Sequence, residues 1–434
     1  MTWQALRLRL RAQPAFALPA SSQLRDVAFL VGGNVLKLAL GFGTSILIFR
    51  VLGPSDAGRL TLTLSVVGLL SIIGEFGLRD AAVNYIARWL PTAPERAAGI
   101  ARTFLASKIF LAALASTVGI LAAGWIAASF YPQDKIGDLL ALAAFSLFAD
   151  GLLAFTVVVL EAQQRFAAIS LLGVLQAVVR AALVVTLFLA HQVNLYTLLA
   201  LESIVPLSIF IYSLRLIPRA FYRLRFPLFE HLALLWHFTK WIALAALASA
   251  IFLKLDVLML SFYRTPAEVG LYAAAFALVG KLDVVKNAVL TTAFPEACRR
   301  AETSALRLYV ARSLHFTALA SLAFLPLFVV GGYLIELFYG TAYQGAIIAV
   351  YPLLAAYLIG LNAEPVAYVL YPLNQPRWIA ASDLMQLAFN VVVNLTLIPR
   401  FGIIGAAGGV LLTRVVAAAI TFILVRRFLW SKAA

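Results

Sequence analysis

The chain of 434 residues has a single cysteine, three methionines, four histidines and only 19 acidic side chains. One thiol, Cys298, excludes an intrachain disulfide and any cysteine-based metal centre. His191, His231, His237 and His315 lie mostly near the ends of apolar stretches and show no HExxH-type spacing, so no metal site is expected. A Walker-type phosphate-binding loop is also missing, which removes ATP hydrolysis within the chain, and no cofactor is expected. Charge is scarce as well. Only 12% of residues are charged and 63% are hydrophobic, with a mean hydropathy of +0.96. An ordinary soluble domain is about a quarter charged and about half apolar, so that class is excluded.

What is present is a series of about twelve apolar stretches, each roughly 20–25 residues and long enough to cross a ~30 Å hydrocarbon layer as a helix. They are placed at residues 27–49, 58–78, 104–129, 137–160, 166–190, 195–217, 239–262, 267–294, 314–339, 346–372, 378–398 and 403–426. The fold class expected is therefore an all-α polytopic membrane protein.

Basic residues collect on alternate connections. The start carries Arg7, Arg9, Arg11 and Arg25; later even-numbered connections carry Arg88, Arg96 and Arg102, then Arg215, Arg219, Arg223 and Arg225, then Arg299, Arg300, Arg307 and Arg312. The end carries Arg426, Arg427 and Lys432, whereas the odd connections offer little beyond Arg50, Lys135, Arg264 and Arg400. The positive-inside rule then puts both termini in the cytoplasm. This asymmetry and anionic lipid account for the net charge of +15, so no nucleic-acid partner is expected. No cleavable signal peptide is expected, since the basic start runs to Arg25 and the first apolar stretch is full-length.

The longest gap in hydrophobicity, about 218–237 with Pro218 and Pro227 in it, divides the chain into six segments and six. The expected organisation is a tail at 1–26, a six-helix bundle at 27–217, a cytoplasmic linker at 218–238, a second bundle at 239–427 and a tail at 428–434. The halves also repeat a pattern. Pro54-Ser55-Asp56-Ala57-Gly58 follows segment 1, and Pro266-Ala267-Glu268-Val269-Gly270 follows segment 7. Proline, acid and glycine recur at constant offset, as a tight turn into a new helix requires. Two matched bundles with the same entry orientation suit a transporter with a central cavity.

A charge in mid-bilayer costs at least ~2.5–3.5 kcal/mol, so such residues usually face a bundle interior or a wet cavity. Lys37, Arg180, Lys254, Lys281 and Arg414 are the expected ligands of an anionic head group, because guanidinium and ammonium groups suit phosphate oxygens. Glu75, Asp150, Asp256, Asp283 and Asp383 are the expected ion-coupling or charge-pairing carboxylates. Glu202, Lys286 and Glu364 also lie in apolar segments. Asp383, Gln386, Asn390 and Asn394 share one helix face by their three- and four-residue steps. Each cation has a plainer alternative: the lysines can snorkel, and Glu75 with Arg79 can be a structural ion pair. Pro206, Pro326, Pro352 and Pro365 lie within apolar segments and can kink them.

The stretch Val51-Leu52-Gly53-Pro54-Ser55-Asp56-Ala57-Gly58, with Gly74-Glu75-Phe76-Gly77-Leu78-Arg79 after it, resembles the polysaccharide-flippase branch of the multidrug/oligosaccharidyl-lipid/polysaccharide exporter superfamily. The run from Leu397 to Ala407 resembles that family's entry into its last helix, and Val269-Gly270-Leu271-Tyr272 with Pro295 resembles its second half. The resemblance implies a flippase that moves a polyprenyl-pyrophosphate-linked oligosaccharide (an O-antigen, capsule or exopolysaccharide unit) from the cytoplasmic to the periplasmic leaflet of the inner membrane. It also implies alternating access, coupling to H⁺ or Na⁺ in some members, and no enzymatic step. Membrane lipid and a polysaccharide polymerase are the partners compatible with it. A multidrug exporter of the same superfamily is the alternative. A membrane enzyme of polysaccharide assembly fits less well, because the odd connections are too short to build a large external site.

Overall fold

The computed structural model describes residues 20–75, 77–132, 136–223, 231–235, 251, 254–298, 302–373 and 375–430. The expected terminal tails (in part), most of segment 7 and much of the linker lie outside these residues. The described residues are almost wholly helical, and no strand occurs among them. By contacts the chain forms two compact units, one of residues 1–48 and 63–251, the other of 49–62 and 252–434.

The first helix, α1 (Ala20–Glu75), contains two expected segments and one interruption, at Gly53 with φ 68°. A side chain strains that backbone region, so glycine sets the break and Pro54 starts the second rod with φ already fixed. α2 (Leu78–Trp89) is short and amphipathic: Leu78, Ala81, Ala82 and Ile86 are buried, while Arg79 and Asp80 are exposed. α3 (Pro94–Phe130) starts with proline at its first turn. Its 37 residues extend to ~55 Å at 1.5 Å per residue, well beyond a ~30 Å layer. The stretch expected as a basic connection before residue 104 is thus largely helix, held by a core that includes Ile86, Ile100, Phe104, Phe155 and Phe221. α4 (Gly137–Ala162), α5 (Phe166–Leu189) and α6 (Leu195–Ser213) complete the first unit. Small residues make the α3–α4 contact: an added Cβ at Gly119 would sit 2.9 Å from Ala144, and one at Gly151 2.8 Å from Ala112. This close approach is how membrane helices gain packing without a hydrophobic driving force. Asn194 caps α6 in a reciprocal box with Thr197.

In the second unit, α7 (254–263) leads to α8 (Pro266–Gly280), whose N-cap is Thr265. α9 (Asp283–Cys298), α10 (Thr303–Phe324) and α11 (Leu327–Tyr339) follow. A 3-10 turn, Thr341–Ala346, joins them to α12 (Ile347–Ala367), α13 (Pro376–Phe401) and α14 (Ile403–Trp430). α12 and α13 both pack on α14.

Two expected segments are divided. Residues 267–294 break at Lys281 and Leu282 between α8 and α9, where the Leu282 carbonyl accepts from the Val285 and Lys286 amides of the new helix and from the Tyr357 hydroxyl at 2.9 Å. Segment 314–339 bends by 49° at Pro326, whose missing N–H and ring interrupt the ladder. Among the described residues eight helical runs are long and apolar enough to cross a membrane, nine if the bent pair is one span. Exposed side chains such as Val329 at 83% and Leu121 at 78% are what a lipid-facing surface needs.

The repeated turns meet within the second unit. A Cβ on Gly58 would lie 1.8 Å from the Pro266 carbonyl oxygen, and one on Gly270 1.9 Å from the Pro54 carbonyl oxygen. The contact is reciprocal, and only hydrogen fits at either position. Two arginines that stood outside the expected charge pattern have structural work nearby. Arg50 donates to the Phe338 carbonyl at 2.7 Å and to that of Leu337, at the end of α11. Arg264 donates to the Pro399 carbonyl at 2.8 Å, at the end of α13. Both meet carbonyls that a helix C-terminus leaves without partners.

Candidate functional site

In the first unit, Lys37 on α1 lies against α5, its Nζ 3.2 Å from where a Cβ on Gly173 would be. A glycine there leaves room for the lysine stem along the helix. Lys37 has no ion-pair partner among the described residues. Arg180, two turns further along α5, does. It makes a forked bond to Glu202 on α6, at 2.5 and 3.1 Å. This geometry satisfies guanidinium and carboxylate together. Asp150 is exposed on α4.

Glu75 is the last residue of α1, and its side chain lies outside the described residues. Arg79, the expected partner of that carboxylate, reaches Glu161 at 2.6 Å and Asp80 at 3.6 Å. A cation that sequence reasoning missed is Lys108. It is 2% exposed in the middle of α3, and its ammonium donates to the Gly74 carbonyl at 3.0 Å, one residue before the end of α1. It stood inside an apolar stretch with nothing beside it in sequence to mark a partner.

The second unit links its charges. Lys286 on α9 contacts Asp283 at 3.1 Å and Glu364 on α12 at 3.3 Å. The same Glu364 oxygen accepts from Arg414 on α14 at 3.3 Å. Lys281 lies at the break just before α9, and Lys254, on α7, has no ion-pair partner among the described residues. A cavity of about 200 Å³ opens beside Arg414, lined also by Glu364, Asp383, Gln386, Ser382 and Thr421. Asp383 has no cation within 4 Å among the described residues; the Gln386 amide is near it at 3.4 Å.

The polar face of α13 continues past this cavity into the interior. Asn390 and Asn394 are 1% and 0% exposed. The Asn394 amide donates to Asp256 at 2.6 Å and to the Asn390 oxygen at 3.1 Å, and the Asn390 amide donates to Thr413 at 3.2 Å. Tyr272 donates to the other Asp256 oxygen at 3.5 Å. Asp256 therefore bonds across to α13 and α8, and makes no pair with Lys254 two residues before it. The Asn394 carbonyl oxygen is buried with no donor among the described residues. A buried acceptor without a donor is costly unless something electropositive meets it.

An all-α membrane chain of two units, with charged and amide groups confined to a few interior positions, belongs to the class of polytopic transporter-fold proteins. Comparison with known proteins is specific about which. Residues 23–299, more than half of the chain, match the model of the polysaccharide biosynthesis protein family, and the chain belongs to that family. It is 22% identical over 386 residues to the probable low-salt glycan biosynthesis flippase Agl15 of Haloferax volcanii, covering 86% of this chain and 77% of that protein. Among solved structures it is similar to the lipid II flippase MurJ in an inward closed conformation (TM-score 0.75, 12% identity, 92% of this chain and 87% of that one). It is also similar to an inward-facing multidrug resistance MATE family transporter of the MOP superfamily (TM-score 0.71, 15% identity, 99% of each chain). At such identities the structural likeness establishes the fold, that of the multidrug/oligosaccharidyl-lipid/polysaccharide exporters.

Proposed function

We propose that this protein moves a polyprenyl-pyrophosphate-linked oligosaccharide across the inner membrane, from the cytoplasmic to the periplasmic leaflet, by alternating access and without covalent chemistry. In this reading two six-helix bundles, 27–217 and 239–427, are joined by the 218–238 linker, and both termini are cytoplasmic. The observation that carries it, in a chain of the polysaccharide biosynthesis family, is Lys37: an ammonium held among apolar helices without a counter-ion among the described residues. An unneutralised cation in such surroundings calls for an anion, and the pyrophosphate of a lipid carrier supplies one. Arg180, two turns along the same face of α5, joins when the head group competes with Glu202 for its fork. Arg414 is a weaker ligand than its position in the sequence promised, because Glu364 already holds it. Lys254 and Lys281 complete the basic set proposed for the head group.

Asp256 is the residue assigned to a coupling cation, H⁺ or Na⁺. Its carboxylate is ringed by neutral donors, and the donor-free Asn394 oxygen adds an acceptor beside it. Proteoliposomes holding a fluorescent undecaprenyl-pyrophosphate glycan test both assignments. K37A is expected to lower the translocation rate at least tenfold with unchanged melting temperature, and D256N to abolish acceleration by an imposed H⁺ or Na⁺ gradient. Wild-type vesicles that leave the glycolipid in its original leaflet under every gradient would refute the reading.

The multidrug alternative draws on one observation, the excess of carboxylate over guanidinium in the cavity of the second unit. It requires ethidium efflux from the same vesicles, lost in D383N.

A further inference from the structure

The cavity on α12, α13 and α14 has a composition that the proposed handling of a pyrophosphate does not use. Two carboxylates, Glu364 and Asp383, and one guanidinium, Arg414, share its wall with Gln386, Ser382 and Thr421. Arg414 reaches Glu364 at 3.3 Å, and the same oxygen is claimed by Lys286 at 3.3 Å from outside the lining. Asp383 is left with a distant amide at 3.4 Å and no cation within 4 Å among the described residues. A phosphate group entering here would meet more negative than positive charge at close range, and the repulsion opposes it. This cavity is therefore a poor place for the anionic end of the passenger.

An ionised carboxylate only accepts hydrogen bonds, and a guanidinium only donates them. A ligand that suits both needs donors and acceptors side by side, and a hydroxyl is each at once. A simple organic cation would satisfy Asp383 but leave the spare N–H groups of Arg414 unmatched, while the Gln386 amide keeps its bond to the Ser382 hydroxyl at 3.3 Å. The rest of the wall is apolar, including Leu370, Ile379, Ala417 and Leu424, and offers contact to C–H groups. At about 200 Å³ the space is smaller than the ~300–1,000 Å³ that encloses a drug-sized molecule, so it holds a single ring and not a chain.

We infer that this cavity is a subsite for one hydroxyl-rich pyranose ring of the passenger, with Asp383 and Glu364 accepting from vicinal hydroxyls and Arg414 and Gln386 donating to ring or hydroxyl oxygens. The inference rests on the flippase reading above and deepens it: the phosphate end belongs to cations elsewhere, and the second unit reads sugar. The carboxylate of Asp383 then has a role in recognition and needs no role in ion coupling.

Full-length protein in nanodiscs, titrated with undecaprenyl pyrophosphate and with undecaprenyl pyrophosphate bearing one N-acetylglucosamine, separates these ideas. The wild type is expected to bind the glycosylated lipid about tenfold more tightly than the bare one, the weight of one or two hydrogen bonds to charged groups. D383N and Q386A are each expected to bring that ratio close to one. Equal binding of the two lipids by the wild type overturns the subsite, as does a ratio that neither substitution changes. Binding of ethidium that is stronger than that of either lipid and is lost in D383N also overturns it, in favour of a cation site. If neither lipid binds the wild type, the flippase reading itself fails, a result distinct from equal binding of both.

Discussion

The two units treat charge inside an apolar fold in opposite ways. In the first, the cations within the long apolar helices meet at most one carboxylate: Lys37 stands without a counter-ion among the described residues, Arg180 is closed against Glu202, and Lys108 meets a helix end. In the second, Asp283, Lys286, Glu364 and Arg414 form a chain in which one carboxylate oxygen serves two cations. Beyond its end lies Asp383, and further along the same face of α13 lies the amide ladder from Asn394 to Thr413. A lone cation is available to a ligand at once. A linked chain answers a ligand only by redistributing several partners, so the second unit is better suited to recognition and coupling than to simple attraction.

Substitutions can break this contrast, and the largest effect concerns packing. G58V or G270V places a side chain on a backbone carbonyl less than 2 Å away, and loss of folded protein in detergent size-exclusion chromatography is expected. The first unit has a matching control in G173A, whose Cβ would meet only the flexible stem of Lys37 at 3.1 Å. That variant is expected to fold normally with a shifted lysine.

Next comes the shared carboxylate. E364A leaves Arg414 without its partner and Lys286 with Asp283 alone; both cations are partly buried, so the expected cost is about 2 kcal/mol, between an exposed pair and a buried one. E202A removes one partner of a pair whose arginine is 41% exposed, so screening holds its cost to about 1 kcal/mol. Thermal unfolding in one detergent compares the two. A double-mutant cycle between Lys286 and Arg414 should show coupling that vanishes once Glu364 is replaced. Equal costs for the two glutamates would remove the distinction between a closed pair and a network.

The smallest effect is expected from K108M. Methionine fills the same space and removes a buried charge, so the lost bond to the Gly74 carbonyl should cost only about 1 kcal/mol. A cost several times larger would show that the first unit, too, depends on a connected set of charges around the end of α1.

Much of the architecture was legible before any coordinates. Nine of the expected spans have undivided counterparts with shifted ends, and the Leu-Gly-Pro turn does interrupt α1 at Gly53. The polar face from Asp383 to Asn394 also exists as a face, because three- and four-residue steps must stack on any helix. The structure parts that face into an open end beside Arg414 and a buried end beside Asp256. Other features had no local signature. The helix before residue 104 sat in a polar, basic stretch that resembles a loop until the core around Phe104 and Phe155 is known. The break at Lys281 is marked in sequence only by the lone Gly280, with no proline beside it, and local turns from Lys281 to Leu278 and from Leu282 to Val279 close it, with the Tyr357 hydroxyl of α12 bonded to the Leu282 carbonyl.

The amino-acid order alone determined that this is a many-span membrane protein with a cationic bias on alternate connections. Apolar length and the siting of arginine are local properties, summed along the chain and read directly by lipid. Only the tertiary structure decided which charges are free and which are spent on one another. Arg180 meets Glu202 from 22 residues away and Glu364 meets Lys286 from 78. In a low-dielectric interior the partner within a few ångströms sets what a charge can do, and packing between helices, not order along them, brings that partner near.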